Sequence, residues 1–371
     1  MQRDYRYWLS NATYIATKMG LHRNVVGQRL DGSTRKLFRR IWCILYSWDV
    51  LLALNGMDTM RRFRDSDSET CTAEITEDDW EDDPIPEVFQ EFLHPIKNVE
   101  KSYVIEGGKL SLLIAQFWQR FSSTPLDACY TQLTVAMDSW RESLPPSFRT
   151  PAIQETSVVN TWNLILMARG YVCECIMHRM IIRSAGTNES LRLRAGQKLS
   201  SALFELNTII DRIMNQNTGQ FNSWVLHGFI STALALHVEK ALNPALTSLE
   251  RSMTNLRIQV NLEFLRDMAK TWSYIGVMVR VFEGVIRRYG LVTSLPESES
   301  IPNDIGAFPQ QSPDVLNLLG TPTMPRPNPW MFGPADKNIA LDLGMGDLNA
   351  NSVLEELLYD NTLSWDISKL I

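Results

Sequence analysis

Three aspartates in the stretch EDDWEDD (residues 77–83) are the first residues whose type and spacing could do chemistry. Asp78, Asp79 and Asp82 spell D-D-x-x-D, a spacing with which carboxylates hold magnesium against a diphosphate. On a helix, Asp78 and Asp82 would share a face, because residues four apart are neighbours there. The flanking sequence argues against a helix long enough to use this. Thr76 is an N-cap candidate, and Pro84 and Pro86 stop any helix just past Asp83. The aspartates then occupy one short turn, where acids complement the N-terminal dipole. A second metal-binding motif on a later helix is absent from the sequence. The expectation is a solvated acidic loop, with no metal ligands among these residues.

Cys173, Cys175 and His178 form the next cluster. On a helix, residues two apart point about 200° apart around the axis, so both sulfurs cannot meet one zinc ion. Packing as small apolar thiols is the better account. Gly107-Gly108-Lys109 lacks the glycine and hydroxyl residue that a phosphate loop requires around it. Neither a G-x-S-x-G elbow nor a G-x-G-x-x-G fingerprint occurs, and the five histidines are dispersed. No catalytic, cofactor-binding or metal-ligating residue is assigned, and the chain is not expected to be an enzyme.

The elements that would position these groups are helices throughout. Apolar residues recur at helical spacing from residue 5 to 289, and convincing β-alternation is missing. After an N-cap candidate at Ser33 or Thr34, Leu37, Ile41, Leu45 and Trp48 fall on one stripe, with Arg35, Lys36, Arg39 and Arg40 towards water. Further helices are predicted over 99–121, 126–143, 157–183, 188–214, 220–241 and 250–289. Leu144-Pro145-Pro146 ends the 126–143 helix. Asp49 falls on an apolar side near Trp42, Tyr46 and Trp48, so it needs a partner; Arg23, Arg61 or Arg62 would form a structural ion pair with it.

Length and composition fit a globular all-α domain: 371 residues, 44% hydrophobic, 21% charged, formal net charge −6. The charge is segregated. Residues 1–64 carry twelve Lys/Arg against four Asp/Glu, and residues 65–91 carry twelve Asp/Glu and no base, so the two segments attract. A DNA-facing role for Arg35, Lys36, Arg39 and Arg40 is the sharper reading of the basic helix; a solvated face is the plainer one. The five scattered cysteines make no disulfide framework and favour a reducing compartment. The N-terminus is too polar for a signal peptide, and the most apolar stretch, 224–238, is too short to span a bilayer. Past Leu291 the chain turns rich in Pro, Ser and Asn (294–335), then mixes acids with Leu, Trp, Tyr and Ile (336–371). Such compositions predict a mostly disordered C-terminal region, the last part suited to folding on a partner as activation segments do. An inert tail is the alternative.

Four phrases, in order over residues 5–290, carry a resemblance. YWLSNATYIATKMGLHRNV (7–25) contains A-x-x-x-G-L-H-R. RRIWCILYSWDVLLALNGM followed by RFRDSDSET matches a basic start, W-x-x-L-Y-x-x-D and R-x-x-D-x-D. AMDSWRESLPPSFR (136–149) is similar to L-x-x-W-x-x-x-L-P-P-x-x-R, and YVCECIMHRM (171–180) is similar to Y-x-x-x-x-I-x-L-H-R. Together they resemble the fungal transcription factor regulatory domain, the middle homology region of fungal binuclear zinc cluster regulators. The similarity is greatest to regulators of cutinase, acetamidase and fatty-acid utilisation. The sequence departs from that pattern at Cys43, Trp48, Met57-Asp58 and Met180.

The resemblance implies a helical regulatory domain over 1–293, a linker over 294–335 and an activation segment over 336–371. It implies a nuclear regulator of RNA polymerase II target genes in lipid, small-carbon or secondary metabolism. A six-cysteine zinc cluster that reads promoter DNA would precede this region, so zinc enters only through such an upstream segment. A co-activator would bind the tail, and a small-molecule effector would act on the domain. Two alternatives remain in view: a truncated regulator that lacks DNA binding and sequesters partners, and a magnesium-dependent isoprenoid enzyme using Asp78, Asp79 and Asp82.

Overall fold

The structure, a computed structural model, describes residues 5–22, 30–54, 63, 75–80, 87–89, 91, 94–149, 161–215 and 223–291. Among these residues there are α-helices and short 3-10 turns but no strand, as the all-α expectation required. We label the helices α1 (Tyr5–Lys18), α2 (Gly32–Leu54), α3 (Asn98–Phe121), α4 (Leu126–Ser143), α5 (Thr161–Ser184), α6 (Glu189–Asn215), α7 (Ser223–Ala241), α8 (Ser248–Thr271) and α9 (Ser273–Arg288). The expected linker 294–335, the tail 336–371 and Asp82 lie outside the described residues.

The core forms around α5, buried at 17 of its 24 residues because α3, α4, α6 and α7 pack on it from different sides. Its sequence explains this: apolar residues run all round the helix from Leu164 to Ile181, which suits a helix with no water-facing stripe. The outer helices α6 and α8 instead bury one face each, Leu203, Leu206, Ile210 and Ile213 on α6 and Ile258, Leu262 and Leu265 on α8.

Local chemistry sets the ends. Gly20 closes α1 at φ 73°, a left-handed conformation that glycine adopts without cost. The amide of Leu21 donates to the Ala16 carbonyl and that of Gly20 to the Thr17 carbonyl, a Schellman closure. The helix α4 ends at Ser143, and Pro145 and Pro146 lead into a 3-10 turn over Pro146–Phe148. At α8, Thr247 accepts from the Glu250 amide (3.3 Å) while Glu250 accepts from the Thr247 amide (3.0 Å).

Three expectations are corrected. The helix predicted over 250–289 is two helices: Trp272 adopts φ −121°, ψ 94° between α8 and α9. Apolar periodicity ran through this point because both helices bury apolar residues, while the break is set by one residue's backbone. The Arg266–Glu283 ion pair (2.6 Å) spans the resulting antiparallel hairpin. Secondly, α2 is capped by Asp31, which accepts from the Thr34 amide (2.9 Å), rather than by Ser33 or Thr34. Thirdly, the stripe of Leu37, Ile41, Leu45 and Trp48 does not form the buried face of α2. Trp42, Tyr46, Asp49 and Val50 are buried, whereas Leu37 and Ile41 are exposed and Leu45 and Trp48 half-buried. Two apolar stripes wind along this helix, and only tertiary packing chooses between them.

Candidate functional site

Of the residues singled out by type and spacing, Asp79, Gly107, Gly108, Cys173, Cys175 and His178 are buried where helices meet, whereas Asp78 is exposed. Asp79 ends the 3-10 turn Glu77–Asp79 and is buried, so the acidic segment is docked at this point and not solvated. One carboxylate oxygen accepts from the Thr76 amide (2.8 Å), and the other pairs with Arg39 of α2 (2.7 Å). Arg40 lies 5.1 Å from the centre of the Trp80 ring. Arg39 and Arg40, expected to face water, are therefore held by residues 79 and 80, as the opposite charges of the two segments foreshadow. A magnesium-binding D-D-x-x-D is not the use made of Asp79: its oxygens are engaged by an amide and a guanidinium.

Gly107 and Gly108 lie in the middle of α3 and do the opposite of cradling a phosphate. A Cβ on Gly107 would sit 3.0 Å from Arg169 Nη1, and one on Gly108 would sit 2.8 Å from the Cys43 sulfur. The two bare positions let α5 and α2 approach α3. Arg169 lies buried in the space opposite Gly107 and donates to Ser111 Oγ (2.8 Å) and to the Gly107 carbonyl (3.4 Å). Periodicity had no way to single out Arg169, since it lies among apolar residues on a helix buried nearly all round. The mid-helix glycine pair was the available signal of a close approach.

The L-x-x-W-x-x-x-L-P-P-x-x-R phrase is likewise used in packing. Trp140 is buried against Gly170, and its indole N–H donates to the Glu106 carbonyl (3.3 Å). Arg141 makes two bonds to the buried Glu174 carboxylate (2.8 and 3.1 Å) and one to Asp138 (3.0 Å). Leu144 and Phe148 are fully buried. Arg149 folds back onto the carbonyls of Leu144 and Glu142 (3.0 and 3.1 Å), and Asn163 of α5 donates to the Ser147 carbonyl. In the last phrase Arg179 pairs with Glu239 of α7 (2.5 Å), which Arg183 also reaches (3.3 Å).

Cys173 and Cys175 are fully buried on α5, and burial pushes the Cys173 thiol up to about 12 and the Cys175 thiol well above its ordinary value. Desolvation also raises Cys43, to about 11. Burial of this kind favours the neutral thiols, which suits packing and not nucleophilic attack. His178, also buried, lies 3.8 Å from Glu174 and against the Tyr130 ring. Among the described residues no group of three or more His, Cys, Asp or Glu is placed to hold a metal ion. None of the described helices is long and apolar enough to cross a membrane.

Asp49 is buried at 1% exposure and accepts from the amide of Phe63 (3.2 Å). The Phe63 ring sits edge-on to Trp42 (4.4 Å) and beside Tyr46 (6.3 Å), while His22 meets the other side of the Trp42 cluster (5.4 Å). Asp49 thus ties α2 to the segment that follows it. Its expected partners Arg23, Arg61 and Arg62 lie outside the described residues. A cleft of about 30 Å³ opens between α3 and α4, lined in part by Gln116, Arg120, Cys129 and Gln132, with room for about one water.

No family model matches the chain, and no solved structure matches it. The fusaric acid cluster transcription factor FUB12 of Fusarium oxysporum f. sp. lycopersici is 32% identical over 303 residues, covering 81% of this chain and 44% of that protein. The acetamidase regulatory protein of Aspergillus fumigatus is 25% identical over 286 residues, covering 75% and 34%. The cutinase transcription factor 1 alpha of Fusarium vanettenii is 22% identical over 314 residues, covering 79% and 32%. The chain spans less than half the length of the curated relatives it matches. The homologues of this chain are fungal transcription factors.

Proposed function

We propose that this chain is the helical regulatory region of a fungal transcription regulator, acting by binding and control rather than by catalysis. The observation that carries the reading is the similarity over four fifths of the chain to a fungal cluster transcription factor. The use of the motif residues supports it: Trp140, Arg141, Asp79 and Arg179 hold helices together and leave no described constellation of acid, base and nucleophile. In this reading the chain belongs in the nucleus, and its targets are RNA polymerase II genes of a metabolic pathway. Promoter DNA is reached through a six-cysteine zinc cluster ahead of Met1, a co-activator binds 336–371, and a small molecule acts on the helical domain.

The test is to map the 5′ end of the transcript and translate the in-frame codons ahead of Met1, alongside a reporter driven by this chain fused to an unrelated DNA-binding domain. A six-cysteine cluster upstream and a reporter response are expected. Without the cluster, direct DNA recognition fails; with an inert reporter as well, transcriptional control fails. Turnover of a prenyl diphosphate with magnesium would overturn the reading outright in favour of an isoprenoid enzyme.

A further inference from the structure

The side of α2 that packing leaves outside carries Leu37, Ile41 and Ile44, exposed at 45%, 37% and 39%. Their spacing, i, i+4, i+7, makes one continuous stripe on the helix surface. It runs along the helix opposite to Trp42 and Tyr46, which are buried. Contiguous apolar surface of this kind marks a place where something docks. Along one edge of the stripe stand Lys36 and Arg40, four residues apart and both basic. Arg40 lies over the Trp80 ring with its Nε unbonded, and neither it nor Lys36 makes an ion pair with a carboxylate among the described residues. Among the described residues, the carboxylate paired with this basic run, Asp79, is taken by Arg39. The occupant that fits is therefore a short apolar helix edged with acids.

The sequence contains such a segment. In SVLEELLYD (352–360), Ser352 and Glu355 stand at capping-box spacing, which predicts a helix start. Leu354, Leu357 and Leu358 then fall on one face, with Glu355 at one edge of it and Asp360 at the other. The surrounding stretch 336–371 holds seven acids and two bases, whereas residues 1–64 hold twelve bases and four acids. Sixty residues of chain lie between Leu291 and Ser352, a contour of about 200 Å, long enough to reach any face of the domain. We propose that residues 352–360 dock as a helix on the Leu37–Ile41–Ile44 stripe of α2 within the same chain, Asp360 facing Lys36 and Arg40. The contact buries the leucines that a co-activator would need, so docking and partner binding compete for one segment. It does not depend on the transcriptional reading, because it is measured on the purified chain alone.

Zero-length carbodiimide cross-linking of the full chain tests it, read by mass spectrometry on an equal mixture of light and heavy isotope-labelled protein. Cross-links from Lys36 to Asp360 are expected within one copy, at a yield unchanged by tenfold dilution. Ile41→Asp should lower that yield at least fivefold without altering the circular dichroism at 222 nm, since Ile41 is at the surface. Lys36→Glu should speed amide exchange over 353–359, and Lys36→Glu with Asp360→Lys should restore its protection. Cross-links joining light to heavy copies would instead make α2 an interface between two molecules and overturn the proposal. Unprotected amides over 353–359 in the unaltered chain, or a yield indifferent to Ile41→Asp, would overturn it too.

Discussion

Replacing Gly170 with alanine sets two effects against each other, and the structure decides the sign. In the middle of a helix alanine is favoured over glycine by about 1 kcal/mol, so propensity alone makes the variant more stable. At this position a Cβ would lie 2.8 Å from Cζ3 and 2.9 Å from Cη2 of Trp140, roughly 0.6 Å short of ordinary contact. The neighbour is a rigid ring, buried, and held by its own bond to the Glu106 carbonyl. Overpacking of this sort costs about 1–3 kcal/mol, and moving the indole gives up about 1 kcal/mol of hydrogen bond. The expected balance is a loss of about 1–3 kcal/mol, measured as a lower urea midpoint by circular dichroism. Gly196→Ala on α6 and Gly228→Ala on α7, whose new methyls would meet nothing within 4 Å, should each gain about 0.5–1 kcal/mol. Trp140→Leu removes the ring, and in that background Gly170→Ala should no longer destabilise. A Gly170→Ala chain as stabilised as Gly196→Ala would refute the reasoning, because then the indole yields freely.

Arg141→Met should destabilise by about 3 kcal/mol in the same assay, since it leaves the buried Glu174 carboxylate without its two-bond partner. Asp79→Asn should open the 75–80 segment to limited proteolysis by removing the charge that Arg39 meets, whereas Asp78→Asn, at an exposed position, should leave digestion unchanged. Asp49→Asn should cost about 1–3 kcal/mol and lower the melting temperature; an unchanged melting curve would remove Asp49 as a tie between α2 and Phe63. Burial drives the His237 pKa down to about 4, with Arg257 and Lys240 adding to the effect. The folded chain therefore refuses a proton that the unfolded chain accepts near pH 6.5, so stability is full above that value and falls as pH drops towards 4. About 2 kcal/mol should be lost between pH 7.5 and 5, and His237→Gln should flatten that part of the profile.

Much of this molecule is written in its sequence because helices are local. Apolar spacing and the end signal of Leu144-Pro145-Pro146 need only neighbours a few residues away, so the helices over 98–143 and 161–241 follow from them closely. Composition alone also separated the acidic 65–91 segment from the basic start of the chain. What tertiary structure decided is which of two available faces each helix turns inward. On α2 both the Trp42–Tyr46 side and the Leu37–Ile41–Ile44 side are apolar, and contact with His22 and Phe63 selected the first. The same holds for Asp79, Arg169 and Glu174. Each is a charged residue that local patterning sends towards water, and each is buried because a residue distant in sequence supplies the bond that makes burial tolerable. Pairings between residues thirty to sixty positions apart leave no trace in local spacing, and that is why the chain's helices were legible while the bonds joining them were not.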